Sequence, residues 1–302
     1  MMQRLFCLLL ATLLLVGALT ACGTTPVEPS DSTPSDTGEI QKPTDGQPTG
    51  GLKLTTYEGE GFSVRIPEGW KIDFGSEGVT FWYRVTNPAD ESMQFFRYGK
   101  LEPLLKSEEA RQAWRKWGPY TGNGSGATFF GNAPVVTEKN AKGIIDAWAQ
   151  FVDYQRLTDA SWSGRFVPLT DISVTSCEAY PGVLTSAGLQ PTLAQASCKT
   201  AAGTMSKLML TACVADPGYQ DIFNEGIDTY YMMVYELNGM LVPENCDETT
   251  VKSLITCLSS LQFTEEFVQK AIQQSNETLD AVKQRSKENE ALMDAFMKRW
   301  GY

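Results

Sequence analysis

Hydrophobic patterning divides the chain into four stretches. Met1–Arg4 is short and positive, and Leu5–Leu19 is almost wholly apolar. A run of ~15 residues falls short of the about 20 that a spanning helix needs. With a positive start and small residues at its end, it predicts a secretory signal over 1–21; the alternative is an N-terminal transmembrane anchor. Residues 23–52 are rich in Pro, Thr, Ser, Gly and Asp and hold almost nothing to bury. That composition predicts a disordered tether, with an end-to-end distance of roughly 30 Å by chain statistics.

From Lys53 the pattern changes. In "GFSVRIPEGWKIDF", Phe62, Val64 and Ile66 alternate with Ser63 and Arg65, and Trp70, Ile72 and Phe74 repeat the alternation after a Pro67-Glu68-Gly69 turn. Period two over such a run predicts half-buried strands. "VTFWYRV" and "MQFFRYG" follow as further strands of an antiparallel sheet. "LKSEEARQAWRKW" then switches to helical period. Ser107 is placed to cap, Glu108 and Glu109 suit the first turn, Ala110, Ala113, Trp114 and Trp117 share a face, and Gly118-Pro119 ends the helix. A second helix is expected over Ala141–Leu157, with Ile144, Ile145, Trp148, Phe151 and Val152 inward. Residues 160–203 read less clearly, with short strands near Ile172–Ser176 and Leu193–Ser197. "SKLMLTACVAD" and "YYMMVYELNGMLV" predict two long strands. "ETTVKSLITCLSSLQF" predicts an amphipathic helix, buried through Val251, Leu254, Ile255, Leu258 and Leu261, that runs into a short strand. A last helix from about Glu265 to Trp300 would extend about 50 Å. Its apolar stripe (Phe267, Ala271, Leu279, Val282, Leu292, Phe296, Trp300) is interrupted by "KQRSKENE" at 283–290. Such a helix either docks by its first half only, or projects as an arm whose tip, Leu292, Met293, Phe296, Met297 and Trp300, meets a partner. The expected fold class is α+β, an antiparallel sheet flanked by helices in an α/β/α-sandwich-like arrangement, over 53–263, with the long C-terminal helix over 264–302.

Composition narrows the chemistry. The 302 residues include no histidine and carry a formal charge of −11. An acidic body argues against nucleic acid, whose phosphates need a Lys/Arg face, and against electrostatic docking on anionic lipid. Without histidine, Ser–His and Cys–His nucleophile pairs and imidazole metal sites are impossible. Neither S-x-x-K nor C-x-x-C occurs, which removes those serine-lysine, thioredoxin-like and zinc-ribbon readings. No cofactor is expected.

Seven cysteines are present. Five lie in the body, an odd number. Cys213 and Cys257 read as small core residues, and Cys177 with Cys198 is the favoured pair if any disulfide forms. "GNGSGA" at 122–127 reads as a surface loop rather than a phosphate loop, because "TFFGNAPVV" behind it reads extended. Asp216, Asp221, Asn224, Glu225 and Asp228 gather in one stretch without the spacing of a calcium loop; a solvated turn and a looser cation site both stay open. A carboxylate pair would serve glycoside hydrolysis without histidine. Trp70, Trp82, Tyr83, Trp114, Trp117 and Tyr120 either build core or line a sugar or peptide groove.

Two resemblances add to this reading. Leu19-Thr20-Ala21-Cys22 resembles the lipobox of bacterial lipoproteins. It implies that Cys22 becomes a diacylglyceryl-modified N-terminus holding the protein in the lipid bilayer at the outer, extracytoplasmic face of the cell membrane. "GFSVRIPEGW" and "VKSLITCLSSLQF" resemble the opening and closing segments of PsbP/Mog1-like domains, and imply a binding or accessory module engaging an envelope protein or a small ligand. An extracytoplasmic hydrolase and a ligand-presenting solute-binding lipoprotein are the alternatives.

Overall fold

The structure is a computed structural model that describes residues 51–77, 80–121, 124–157, 166–180, 184–185, 189–274 and 276. The chain is α+β. Five strands come first: β1 (Leu54–Gly59), β2 (Phe62–Pro67), β3 (Lys71–Glu77), β4 (Thr80–Thr86) and β5 (Gln94–Leu104). Four helices follow: α1 (Glu108–Trp117), α2 (Gly126–Phe129), α3 (Ala141–Asp146) and α4 (Trp148–Leu157). Strands β6 (Leu169–Ala179), β7 (Thr192–Thr200), β8 (Met205–Ala215) and β9 (Met232–Pro243) precede α5 (Glu248–Leu258) and the short β10 (Gln262–Phe263). A last helix, α6, spans 265–274.

The strands form two antiparallel sheets. The larger has seven, in the order β3-β4-β5-β9-β8-β7-β6, and the smaller is β1-β2-β10. Central strands of the large sheet are covered on both faces, so they read as nearly continuous apolar runs. In β4, Phe81, Tyr83 and Val85 enter one cluster while Trp82 enters the other. On one face α1, α3 and α4 bring Trp114, Ile144, Ile145, Trp148 and Phe151 against Phe96, Tyr98, Leu208 and Leu210. On the other, β2 lays Phe62, Val64 and Ile66, and α5 lays Leu254 and Cys257, over Phe81, Tyr83 and Phe95. The second face is therefore closed by a small sheet as well as a helix.

Local sequence explains most element ends. Ser107 caps α1 by accepting from the Ala110 N–H, and Asn140 caps α3 by accepting from the Gly143 N–H. Where one helix was expected over 141–157, two occur: Ala147 leaves the helical region at φ −87°, ψ 5°. Both halves are apolar and face inward, so the break leaves no mark in the hydrophobic pattern. In α5 the buried face is Thr250, Leu254 and Cys257, whereas Ile255 is exposed. Val251, Leu258 and Leu261 pack against the same cluster as expected, so of the expected stripe only Ile255 faces out. Strands β6 and β7 are longer than expected. β6 is the sheet edge and is exposed along most of its length, so it offers no alternation to read.

The start of α6 is fixed to the core. Thr264 donates its N–H to Gly61 O, and Phe267 stacks on Phe263 at 5.0 Å and meets Phe81 edge-on at 6.0 Å. Among the described residues no helix is long and apolar enough to cross a membrane.

Candidate functional site

Register fixes the two ends of the large sheet. At one end Lys71, Thr86, Gln94 and Leu241 lie side by side. The first strand joins here, because Leu54 pairs with Pro67 just before β3. At the other end lie Leu104 and Met232, together with Ala215 at the close of β8. β5 alone separates the ends by about 33 Å at ~3.3 Å per residue.

The far end carries a strap, residues 216–231, which joins β8 to β9 without helix or strand. Its acidic side chains are bound inside the protein. Lys106, just beyond β5, holds Asp216 at 2.7 Å and Asp228 at 2.6 Å, and donates to Gly218 O at 2.6 Å. Lys139 reaches Asp216 at 2.5 Å. Asp221 accepts from the N–H groups of Glu225 and Gly226, and Asn224 (φ 56°) and Gly226 (φ 75°) make the tight turn between. Burial disfavours the charge on Asp216, but the Lys106 and Lys139 hydrogen bonds and the Gly218 N–H outweigh it and hold the carboxyl at about 2. Burial likewise opposes the charge on Lys106, yet its two carboxylate partners raise its pKa.

The strap closes over aromatic side chains. The Trp114 indole donates to Thr229 O at 2.8 Å. Phe223 meets the Trp114 ring edge-on at 4.9 Å, and Phe130 stacks on it at 4.1 Å. Beside this lid the end of α1 turns through the 3-10 segment Gly118–Tyr120. Trp117 and Tyr120 lie there with ring centroids 6.3 Å apart, 36% and 82% exposed. Lys116 stands 4.6 Å over the Trp117 ring and binds Glu225 of the strap at 2.6 Å. The hydrogen bond from Lys116, then that from Trp117, holds the Glu225 carboxyl below the usual carboxylate range.

The acids of 216–231 thus form a lysine-braced strap, and among the described residues no group of three or more acids, cysteines or histidines is arranged to hold a metal. Asp216 and Asp228 are a close carboxylate pair, sharing Lys106. Asp216 is held ionised, which is the opposite of what a general acid requires. Of the six aromatics, Trp82, Tyr83 and Trp114 are core, Trp70 packs at the edge of the second cluster, and only Trp117 and Tyr120 stand out at the surface. "TFFGNAPVV" opens on the short helix α2 rather than extended chain. Cys177 and Cys198 are both free, the first exposed and the second buried. Cys177 pairs across the sheet with Ala194, four residues from Cys198, so the two cannot bridge. Cys213 and Cys257 are core, as expected. Cys22 and the arm tip, Leu292, Met293, Phe296, Met297 and Trp300, lie outside the described residues. Lys106, Lys139 and the Lys116–Glu225 pair were not legible in sequence, since each depends on partners some 77 to 122 positions away.

The sequence matches no protein-family model and no curated protein.

Proposed function

We propose that this is a lipoprotein anchored in the outer face of the cell membrane through an acylated Cys22, carrying a non-catalytic binding domain on the 23–52 tether. The observation that carries the reading is the Leu19-Thr20-Ala21-Cys22 junction at the end of a ~15-residue apolar run, where a signal peptide over 1–21 would be cleaved. Two or three acyl chains give durable anchoring where one is marginal. The first strand, β1, opens at Leu54, directly after the Pro- and Thr-rich stretch.

The PsbP/Mog1-like reading has its own support. The two segments that carry it meet, because β10 and α5 both pack on β2. It makes the domain an accessory module for an envelope protein or a small ligand, with the 292–300 arm as a second contact. The non-catalytic reading draws on the missing histidine and on an Asp216–Asp228 pair locked by Lys106.

Palmitate labelling and membrane fractionation test the anchor. The native protein takes label and sediments with membranes, and Cys22→Ser loses both. A Cys22→Ser protein that still sediments, with no label on the native chain, overturns it.

A further inference from the structure

We propose that Trp117, Tyr120 and the Lys116–Glu225 pair form a docking platform for a neutral pyranose chain. The inference rests on the reading above that the domain is a binding module, and it names the ligand class.

Backbone rigidity is the first support. The 118–121 turn packs its backbone directly on α2: a side chain on Gly118 would lie 2.4 Å from Ala127 N, and one on Gly126 would lie 2.3 Å from Thr121 Oγ1. Thr121 also ties the turn by donating its hydroxyl to Gly118 O at 2.8 Å. Tyr120, 82% exposed, and Trp117, 36% exposed, thus stand side by side on a tightly packed corner, an aromatic pair left at the surface.

Chemistry supplies the second support. A pyranose presents an apolar C–H face and a rim of hydroxyls, and binding sites join apolar surface with a few placed polar groups. Here the Tyr120 ring and the part of the Trp117 ring that Lys116 does not overlie offer the surface. Glu225, ionised and 25% exposed, offers acceptor oxygens, and Lys116, 60% exposed, offers donors. Charge gives the third. A chain of net charge −11 repels polyanions, which favours a neutral polymer. Position agrees, because Glu225 belongs to the strap at the sheet end opposite the tether junction.

The test uses the full-length protein in detergent micelles, titrated calorimetrically with chitotetraose and cellotetraose. Saturable binding to one of them is expected. Tyr120→Ala and Trp117→Ala should weaken it by about tenfold or more, and Glu225→Gln by a smaller factor, with Tm unchanged in Tyr120→Ala. The idea fails if neither sugar binds, or if the sugar binds Tyr120→Ala as well as the native protein. Palmitate labelling in the same preparations separates the two readings: a labelled protein that binds no sugar sinks the platform alone, and an unlabelled protein that binds sugar sinks the anchor alone.

Discussion

Asp216→Asn removes one carboxylate from the strap while leaving its shape. The native side chain is 16% exposed and is held by Lys106 at 2.7 Å, Lys139 at 2.5 Å and the Gly218 N–H at 2.9 Å. Its carboxyl is held at about 2, against an ordinary 3.8. One unit corresponds to about 1.4 kcal/mol, so the shift sets a ceiling of about 2.5 kcal/mol. Lys139 is 57% exposed, and solvent screening there reduces the expected loss to about 1–2 kcal/mol. Lys106 keeps Asp228, so no charge is stranded. The sign follows from linkage: a depressed folded pKa gives stability that is complete above the unfolded value and is lost as pH falls toward the folded one. Urea unfolding of the native protein and the variant, at pH 7, 4, 3 and 2.5, should show the difference at full size at pH 7 and reduced to a small remainder at pH 2.5. A difference that stays constant across this range would refute an ionic origin, and equal stability at pH 7 would refute the clamp itself.

Gly61→Ala should lower stability by at least about 1 kcal/mol, because Gly61 sits at φ +84° and an added Cβ would lie 2.6 Å from the Phe267 ring; an unchanged Tm would mean that α6 is not seated on this turn. Among the five described cysteines, Cys177 should react with a thiol reagent at pH 8 as one fast equivalent, lost in Cys177→Ser; Cys246, half-buried and with its thiol pushed up by burial, should follow more slowly. Cys198, Cys213 and Cys257 should react only on unfolding, since all three are buried and burial pushes Cys198 to about 11 and Cys257 to about 12; a disulfide in the non-reduced protein would contradict the structure.

The parts legible in sequence are those whose cause is local. Phe62, Val64 and Ile66 alternate because one face of β2 meets the core, and the Ser107 cap is visible because its partner is three residues away. Where the cause is distant the pattern is silent. β5 lies against β9 across more than a hundred residues, and neither strand names the other. β6 has no covered face along most of its length, so its extent leaves no periodic trace. The face expected on α5 and its exit holds at Val251, Leu254, Leu258 and Leu261 and fails at Ile255 alone, which is large and apolar yet exposed, while the small polar Thr250 takes a buried place.

The strap shows why a site of this kind escapes a linear reading. Asp216, Glu225 and Asp228 look like a solvated acidic loop, and nothing nearby in sequence balances them. The balancing lysines come from the end of β5, the end of α1 and the approach to α3, three places the topology brings to one end of the sheet. The same folding step sorts the aromatics. Trp114 and Trp117 are three residues apart on one helix and read as a single face, yet the strap covers Trp114 with the Phe223 ring and meets Trp117 with the Glu225 carboxylate. The boundary between core and surface on α1 is therefore set by which ring the strap covers with an apolar side chain. Lys116 and Glu225 mark that boundary, so the two exposed rings and the polar pair beside them arise together from the closure of the strap.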